Sequence, residues 1–344
     1  MHPTVATDAW DLDEASLPPV AGDAAKLRFA LRYAVLAPSN HNAQPWRFVV
    51  DGTSVLLCAD RTRALAVVDP FDRELIIACG AALFNLRVAI QHFGLRYVIT
   101  LFPDPFDSDV LAHIHVSHQG AHDGALAALF DTMTRRVTTR EAFDVSPLPV
   151  ETQDALVQAA LDEGVDAAAI ASAPARERIA ELVAQADDLQ FCDPRFRREL
   201  ASWIHASRRG DGMPGYAAGV SALLDFLRPI TASAIRTFDL GGGGAAVHRE
   251  LAERSPLLLC IGTGQDEPSA WLASGQALER VLLTAVSFGL TASYLNQPIE
   301  VDSLRDAVRK EAGMSTLPQL LLRIGRGPRC AHTPRRAMPD VVAP

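Results

Sequence analysis

Residues Ala78–Leu95 read ACGAALFNLRVAIQHFGL, and residues Ala273–Leu290 read ASGQALERVLLTAVSFGL. The stretches align without a gap at a constant offset of 195 (273 − 78). Seven of the eighteen positions are identical: Ala78/Ala273, Gly80/Gly275, Ala82/Ala277, Leu83/Leu278, Phe93/Phe288, Gly94/Gly289 and Leu95/Leu290. Both read as apolar helices that stop at a glycine and run into a strand. Two Ala/Leu helices can match by composition alone. The shared glycines and the common Phe-Gly-Leu exit favour duplication of one unit. A duplicated unit in one chain predicts an α+β protein whose halves pack as an intramolecular pseudo-dimer.

Outward from these helices, the chain divides into three parts. Residues 1–23 form an irregular arm. Residues 24–122 are the first unit. A helix is expected over 24–36, with Leu27, Leu31 and Val35 at spacing four, stopped by Pro38. Strands over 47–50 and 53–58 are joined by the hairpin signal Asp51-Gly52. A helix over 74–93 and strands over 95–102 and 110–117 complete the unit. The second unit, 123–344, opens with a helix at 126–135 and the extended polar run RRVTTREAFDVSPLP. Helices follow at 151–161 and 175–188. Residues 190–250, with FCDPRF, GDGMPG and GGGG, read as a lid-like insertion rather than compact core. Strands at 256–261, 290–296 and 319–324 alternate with helices at 270–288 and 301–312. A proline- and arginine-rich tail ends the chain.

Composition excludes several functions. A chain of 344 residues has room for about two domains. Its formal net charge of −9 makes it a poor electrostatic partner for nucleic acid or an anionic membrane. No apolar run reaches the ~20 residues of a membrane span; Val281–Ile299 is interrupted by Thr284, Ser287, Asn296, Gln297 and Pro298. Cys58, Cys79, Cys192, Cys260 and Cys330 lack any CxxC spacing, so they read as small buried residues of a reducing compartment. The acidic N-terminal stretch has no apolar signal core, and a cytoplasmic location is expected. His113, His115, His118 and His122 cluster without a carboxylate or thiolate partner at ligand spacing, so no metal site is expected. No dinucleotide loop, P-loop or hydrolase elbow is present in the sequence. His41 reads as a loop residue rather than a general base.

Four segments carry polar groups in patterns suited to a ligand. After Pro38, the loop SNHNAQPW offers Ser39, Asn40, Asn42 and Gln44, whose hydroxyl and amides both donate and accept. Such groups suit a neutral heteroaromatic ring. In RRVTTREAF, Arg136 and Arg140 flank Thr138 and Thr139, an arrangement suited to a phosphate or an electron-rich ring edge. The tail from Pro318 to Arg336 holds Arg323, Arg326, Arg329, Arg335 and Arg336 and no acid, which points to an anion. Asn296 and Gln297 follow the second helix-to-strand exit.

The stretch Ala37-Pro38-Ser39, Asn42, Gln44-Pro45-Trp46 resembles the flavin-binding loop of the nitroreductase family. RRVTTREAF is similar to that family's N-terminal flavin motif, Arg-x-Ser-x-Arg-x-Phe, with one extra residue before Phe143. The resemblance implies FMN as cofactor. Pro38, Ser39, Asn40, Asn42 and Gln44 would line it from one unit. Arg136 with Thr138 or Thr139 would hold its phosphate, and Arg140 would face its N1/O2 edge. Arg335 and Arg336 would grip the phosphate, and Asn296 and Gln297 would line the exit near N5. Each unit lacks the motif that the other keeps, so one composite site per chain is expected. A single chain with two units and a lid resembles the Acg-like branch of the superfamily. That resemblance implies hydride transfer from NAD(P)H through FMN to a nitroaromatic or quinone-like acceptor, with the flavin carrying the chemistry and no catalytic side chain. Storage of a covered flavin with little turnover is the alternative, and a flavin-free scaffold a third reading. A small-molecule acceptor is the expected partner, with no nucleic acid and no membrane; the pseudo-dimer can be the monomer, with further pairing left open.

Overall fold

The computed structural model describes residues 9–18, 20–117, 122–204, 210–213, 241–328 and 330–343, the first four residues of 241–328 by backbone alone. Most of the expected lid (205–209 and 214–240), His118 and Arg329 lie outside the described residues.

The strands form two sheets, antiparallel but for one short strand. The first joins β1 (Trp46–Asp51), β2 (Ser54–Ala59), β3 (Arg96–Leu101) and β4 (Val110–Ser117). The second joins β5 (Asp166–Ile170), β6 (Leu257–Thr263), β7 (Thr291–Tyr294) and β8 (Leu317–Gly325), in the order β5-β6-β8-β7. A two-residue strand, β9 (Val342–Ala343), returns from the C-terminus and pairs in parallel with β1. The tail of the second unit therefore completes the sheet of the first. The β1–β2 hairpin turns at Asp51-Gly52, with Gly52 at φ 54°, as the dipeptide predicts.

Twelve helices lie among the described residues: α1 (Asp23–Ala34), α2 (Arg73–His92), α3 (Gly124–Ala127), α4 (Phe130–Met133), α5 (Val150–Leu161), α6 (Ala173–Cys192), α7 (Pro194–Ser202), α8 (Gly241–Glu253), α9 (Pro268–Ser287), α10 (Gln297–Glu300), α11 (Asp302–Glu311) and α12 (Met338–Val341). The helix expected over 126–135 is instead the two short turns α3 and α4. The strand β5 was not legible, because DAAAI carries one β-branched residue and no alternation.

The repeated helices α2 and α9 cross at their equivalent glycines. A Cβ on Gly80 would lie 2.2 Å from the carbonyl oxygen of Leu272 and 3.0 Å from the Cα of Gly275. A Cβ on Gly275 would lie 1.9 Å from the carbonyl oxygen of Ile77. Only hydrogen at both positions lets the two backbones approach this closely. Past the crossing, Gly94 and Gly289 adopt the left-handed conformation (φ 73° and 69°) that ends each helix and starts β3 and β7. By length and apolarity α2 passes as a membrane span, yet 89% of its apolar window is buried inside the protein.

The described parts of the insertion are packed helices rather than a detached lid. Ala252 of α8 joins the core beneath β6 and β8. Phe196 of α7 packs with Leu65 and Val68 of the first unit. The Glu199 carboxylate accepts from the backbone N–H groups of Val67 and Val68 at 2.9 and 3.0 Å. Of the cysteines, Cys79 and Cys260 are buried as expected, but Cys192 is exposed at the end of α6, so it does not read as core.

Candidate functional site

Three non-glycine residues of the loop after Pro38 have left-handed backbone: His41 (φ 51°), Asn42 (φ 54°) and Gln44 (φ 52°). Each such residue costs about 1–3 kcal/mol and persists only where surrounding bonds over-determine it. Those bonds are visible. The Gln44 N–H donates to Ser39 Oγ at 2.9 Å. Asn42 Nδ2 donates to the carbonyls of Gly212 and Pro334, both at 3.0 Å, and its Oδ1 accepts from Arg335 at 3.2 Å. Gln44 Nε2 donates to the Gly210 carbonyl at 2.8 Å, and its Oε1 accepts the Arg336 N–H at 2.8 Å. Arg63 donates to the Ala43 carbonyl and pairs with Asp211. The loop thus knots the described insertion patch 210–213 to the tail. Asn42 and Gln44 were expected to address a heteroaromatic ring; here their amides bond to main-chain groups and to Arg335, and they fasten the loop.

The tail arginines do the same. Arg335 is buried and donates to the carbonyls of Val35 (2.9 Å), Leu36 (2.9 Å) and Ala37 (3.1 Å), at the C-terminal end of α1. A cation there meets the negative end of the helix dipole. Arg336 donates to the carbonyls of Gln44 (3.0 Å) and Trp46 (3.4 Å). Both guanidinium groups bond mostly to backbone carbonyls, with side-chain contacts to Asn42 and Thr333 from Arg335 and to Asp60 from Arg336. Carbonyl partners have no sequence signature, so the pattern alone could not reveal them.

The Arg136–Phe143 segment runs beside β7, with a parallel bridge between Thr138 and Ala292. Thr139 is fully buried, and its hydroxyl meets that of Thr291 at 2.9 Å. Alternate residues of an extended segment share a face. Arg136, Thr138 and Arg140 therefore line one side and Thr139 the other. The Thr139 hydroxyl is thus engaged inside the protein, on the side away from Thr138. Arg323 donates to the Thr139 and Glu141 carbonyls at 2.9 Å and stacks over Phe143 at 4.3 Å, which fixes the segment from behind.

Around these elements the side chains make a cationic place. Arg136 reaches the Leu36 carbonyl at 3.4 Å, beside Arg335. Burial pushes the Tyr294 hydroxyl above its ordinary range against the charges of Arg136, Arg140 and Arg335. Burial, then the charge of Arg140, lowers His41 to about 4. Burial, then Arg140 again, lowers Arg323 to about 10. Within this set the Tyr294 hydroxyl and His41 Nε2 are buried without a protein partner. Neither stood out in the sequence. Tyr294 lay unremarked beside Asn296, and His41 read as a plain loop residue. A buried polar atom without a partner is costly, and at a site it marks where a ligand atom belongs.

Asn296 serves structure: its Oδ1 accepts the Leu321 N–H at 3.0 Å and its Nδ2 donates to Glu74 at 3.3 Å. Gln297 Nε2 lies 3.3 Å from His248 Nδ1, and its Oε1 is buried without a partner. Glu74 also accepts from Asn40 Nδ2 at 2.6 Å and from Arg73 at 3.1 Å. The loop, the start of α2 and the end of β7 are thereby tied at one carboxylate. Among the described residues no group of His, Cys, Asp and Glu is placed to hold a metal ion.

Glu279 of α9 is fully buried 3.7 Å from Arg136, and burial raises its carboxyl to about 7 against the pull of Arg136, Asn85 and Arg335. Between its ordinary 4.5 and about 7 the folded protein keeps a proton that the unfolded chain has released. Stability contributed by that proton is present at low pH, falls as pH rises through this window, and is level above it. Glu279→Gln is expected to lose less stability than the parent between about pH 5 and about pH 8 in urea titrations. An equal loss in both proteins would refute the assignment.

No family model matches the chain. It is 36% identical over 326 residues to a protein of Mycobacterium tuberculosis named as an NAD(P)H nitroreductase, covering 93% of this chain and 92% of that one. It is 29% identical to the Mycobacterium tuberculosis protein named NAD(P)H nitroreductase acg, covering 92% and 94%. Among solved structures, the FMN-dependent nitroreductase NfnB of Mycobacterium smegmatis, determined in complex with NADPH, is 17% identical with a TM-score of 0.41; the match covers 62% of this chain and 97% of that one. The identity to the first of these relatives over nearly the whole of both chains places this one: it belongs to the nitroreductase family.

Proposed function

We propose that this chain is an FMN-binding oxidoreductase of the nitroreductase type, which passes hydride from NAD(P)H to a small nitroaromatic or quinone-like acceptor. One observation carries the reading: the cationic place where Tyr294 and His41 bury unpartnered polar atoms beside Arg136 and Arg140. Its donor set fits FMN, whose phosphate and ring edge both call for cations. Arg136 and Thr138 would hold the phosphate. Arg140 would face the N1/O2 edge and stabilise negative charge there. Pro38, Ser39 and Asn40 would line the ring from the first unit, with Gln297 at the exit. Bound there, FMN supplies the two-electron chemistry. The chain's part is to hold the ring, exclude water and keep cations at its edge. The equivalent glycines at the α2–α9 crossing support the inference that the two units are an intramolecular pseudo-dimer around one composite site.

The test mixes FMN-loaded protein anaerobically with NADPH, then NADH, and follows flavin absorbance. Bleaching that a nitroaromatic or quinone reverses is the expected result. A second reading, flavin storage, is favoured by the bonds that fasten Gly210 and Gly212 onto Asn42 and Gln44. A bound flavin that ignores both nicotinamides, yet bleaches with dithionite, would establish storage and overturn turnover.

A further inference from the structure

His41 is part-buried, its Nε2 is fully enclosed, and its neighbours determine its proton. Glu74, as a carboxylate, only accepts hydrogen bonds. Its oxygen lies 2.6 Å from Asn40 Nδ2, so the Asn40 amide nitrogen must face Glu74. The Asn40 oxygen then faces His41 Nδ1, also at 2.6 Å. An oxygen there demands that Nδ1 carry the hydrogen. The ring is neutral at physiological pH, since burial and then Arg140 hold its pKa down to about 4. Nε2 is therefore a bare lone pair, fully buried and without a protein partner. The His41 backbone is left-handed at this point, with φ 51°.

The surroundings say what this lone pair meets. Arg136, Arg140 and Arg335 supply donors only, and a guanidinium cannot accept. An isoalloxazine ring, however, presents its imide N–H next to the oxygen of the N1/O2 edge. The arginines leave that N–H without an acceptor; the Tyr294 hydroxyl and Gln297 Oε1 could accept, but His41 Nε2 is the acceptor on the loop whose charge environment Arg140 sets. We infer that His41, oriented through Asn40 by Glu74, accepts the imide N–H of the bound flavin, so that Arg140 and His41 together read one continuous ring edge. The assignment rests on the flavin reading above and adds the residue that distinguishes an imide ring from other anions.

The test compares binding of FMN with binding of its N3-methyl derivative, which lacks the imide hydrogen. The parent is expected to bind the methylated flavin about ten- to hundredfold more weakly, because an acceptor built for an N–H is left unpaired. His41→Phe should bind FMN about as weakly as the parent binds the methylated flavin, and discriminate little between the two. His41→Gln, which keeps an acceptor oxygen, should recover part of the difference. A second readout needs no variant: the Nε2 resonance of His41 in nitrogen-15 spectra should move upfield when FMN is added to the parent, and stay in place with the methylated flavin. Equal affinity of the parent for both flavins, or a fixed Nε2 resonance, overturns the His41 assignment and leaves the flavin reading standing. A parent that takes up neither flavin overturns both.

Discussion

Gly275→Ala is expected to destabilise the chain by at least about 3 kcal/mol, or to prevent folding. The added methyl would lie 1.9 Å from the carbonyl oxygen of Ile77 and 2.8 Å from the Cα of Gly80. Both obstacles are backbone, so no side-chain rotation relieves them. The helices α2 and α9 must move apart, and with them the packing of Leu83, Leu86, Leu278 and Val281, all buried. Loss of close packing forfeits dispersion along the whole crossing, not at one atom. Gly80→Ala should act alike, since its methyl meets the Leu272 carbonyl at 2.2 Å. Gly124→Ala is the control: a Cβ there has nothing within 4 Å, and its change should stay within about 0.5 kcal/mol. Urea titrations followed by far-ultraviolet circular dichroism compare the three. A Gly275→Ala protein within 1 kcal/mol of the control would mean that the crossing is not as close as described.

The same glycines show what kind of information the sequence carries. The matching glycines of the two helices were legible as one local pattern written twice, though not that they cross, and the Gly-stopped exits and the Asp-Gly hairpin follow from backbone preferences of single residues. The alanine-rich strand β5 was not legible, since its pairing with β6 comes from its neighbours. At the site, residue types were legible and partners were not. Sequence puts amides at 42 and 44 and arginines at 335 and 336. Only the fold supplies the carbonyls of Val35, Leu36, Gly210 and Gly212 that take them up. The partner of the Thr139 hydroxyl, Thr291, likewise lies 152 positions along the chain. His41 was missed because its role comes from a chain of three side chains, Glu74, Asn40 and His41, two of which looked like ordinary polar residues.

Arg140→Ala is expected to leave the fold intact and to weaken FMN retention about ten- to hundredfold, whereas Arg136→Ala should do both kinds of damage. Arg140 is exposed, and its charge acts on His41, Tyr294 and Arg323. Removing it takes away a charge-assisted contact worth about 1.5–3 kcal/mol to an anionic ring edge. Arg136 is 4% exposed and faces Glu279, which is 0% exposed. Truncating Arg136 leaves that carboxyl without its cation, a loss of about 3–5 kcal/mol when the acid is charged. The double variant Arg136→Ala/Glu279→Gln separates the two effects. It removes the acid along with the cation, so stability should return toward the parent while FMN binding stays weak. Flavin retention after gel filtration and urea midpoints read the two quantities on the same samples. If the double variant regains FMN together with stability, Arg136 acts only by supporting the α2–α9 interface, and the phosphate must be held elsewhere. If Arg140→Ala keeps its flavin, the second unit does not supply the cation at the ring edge.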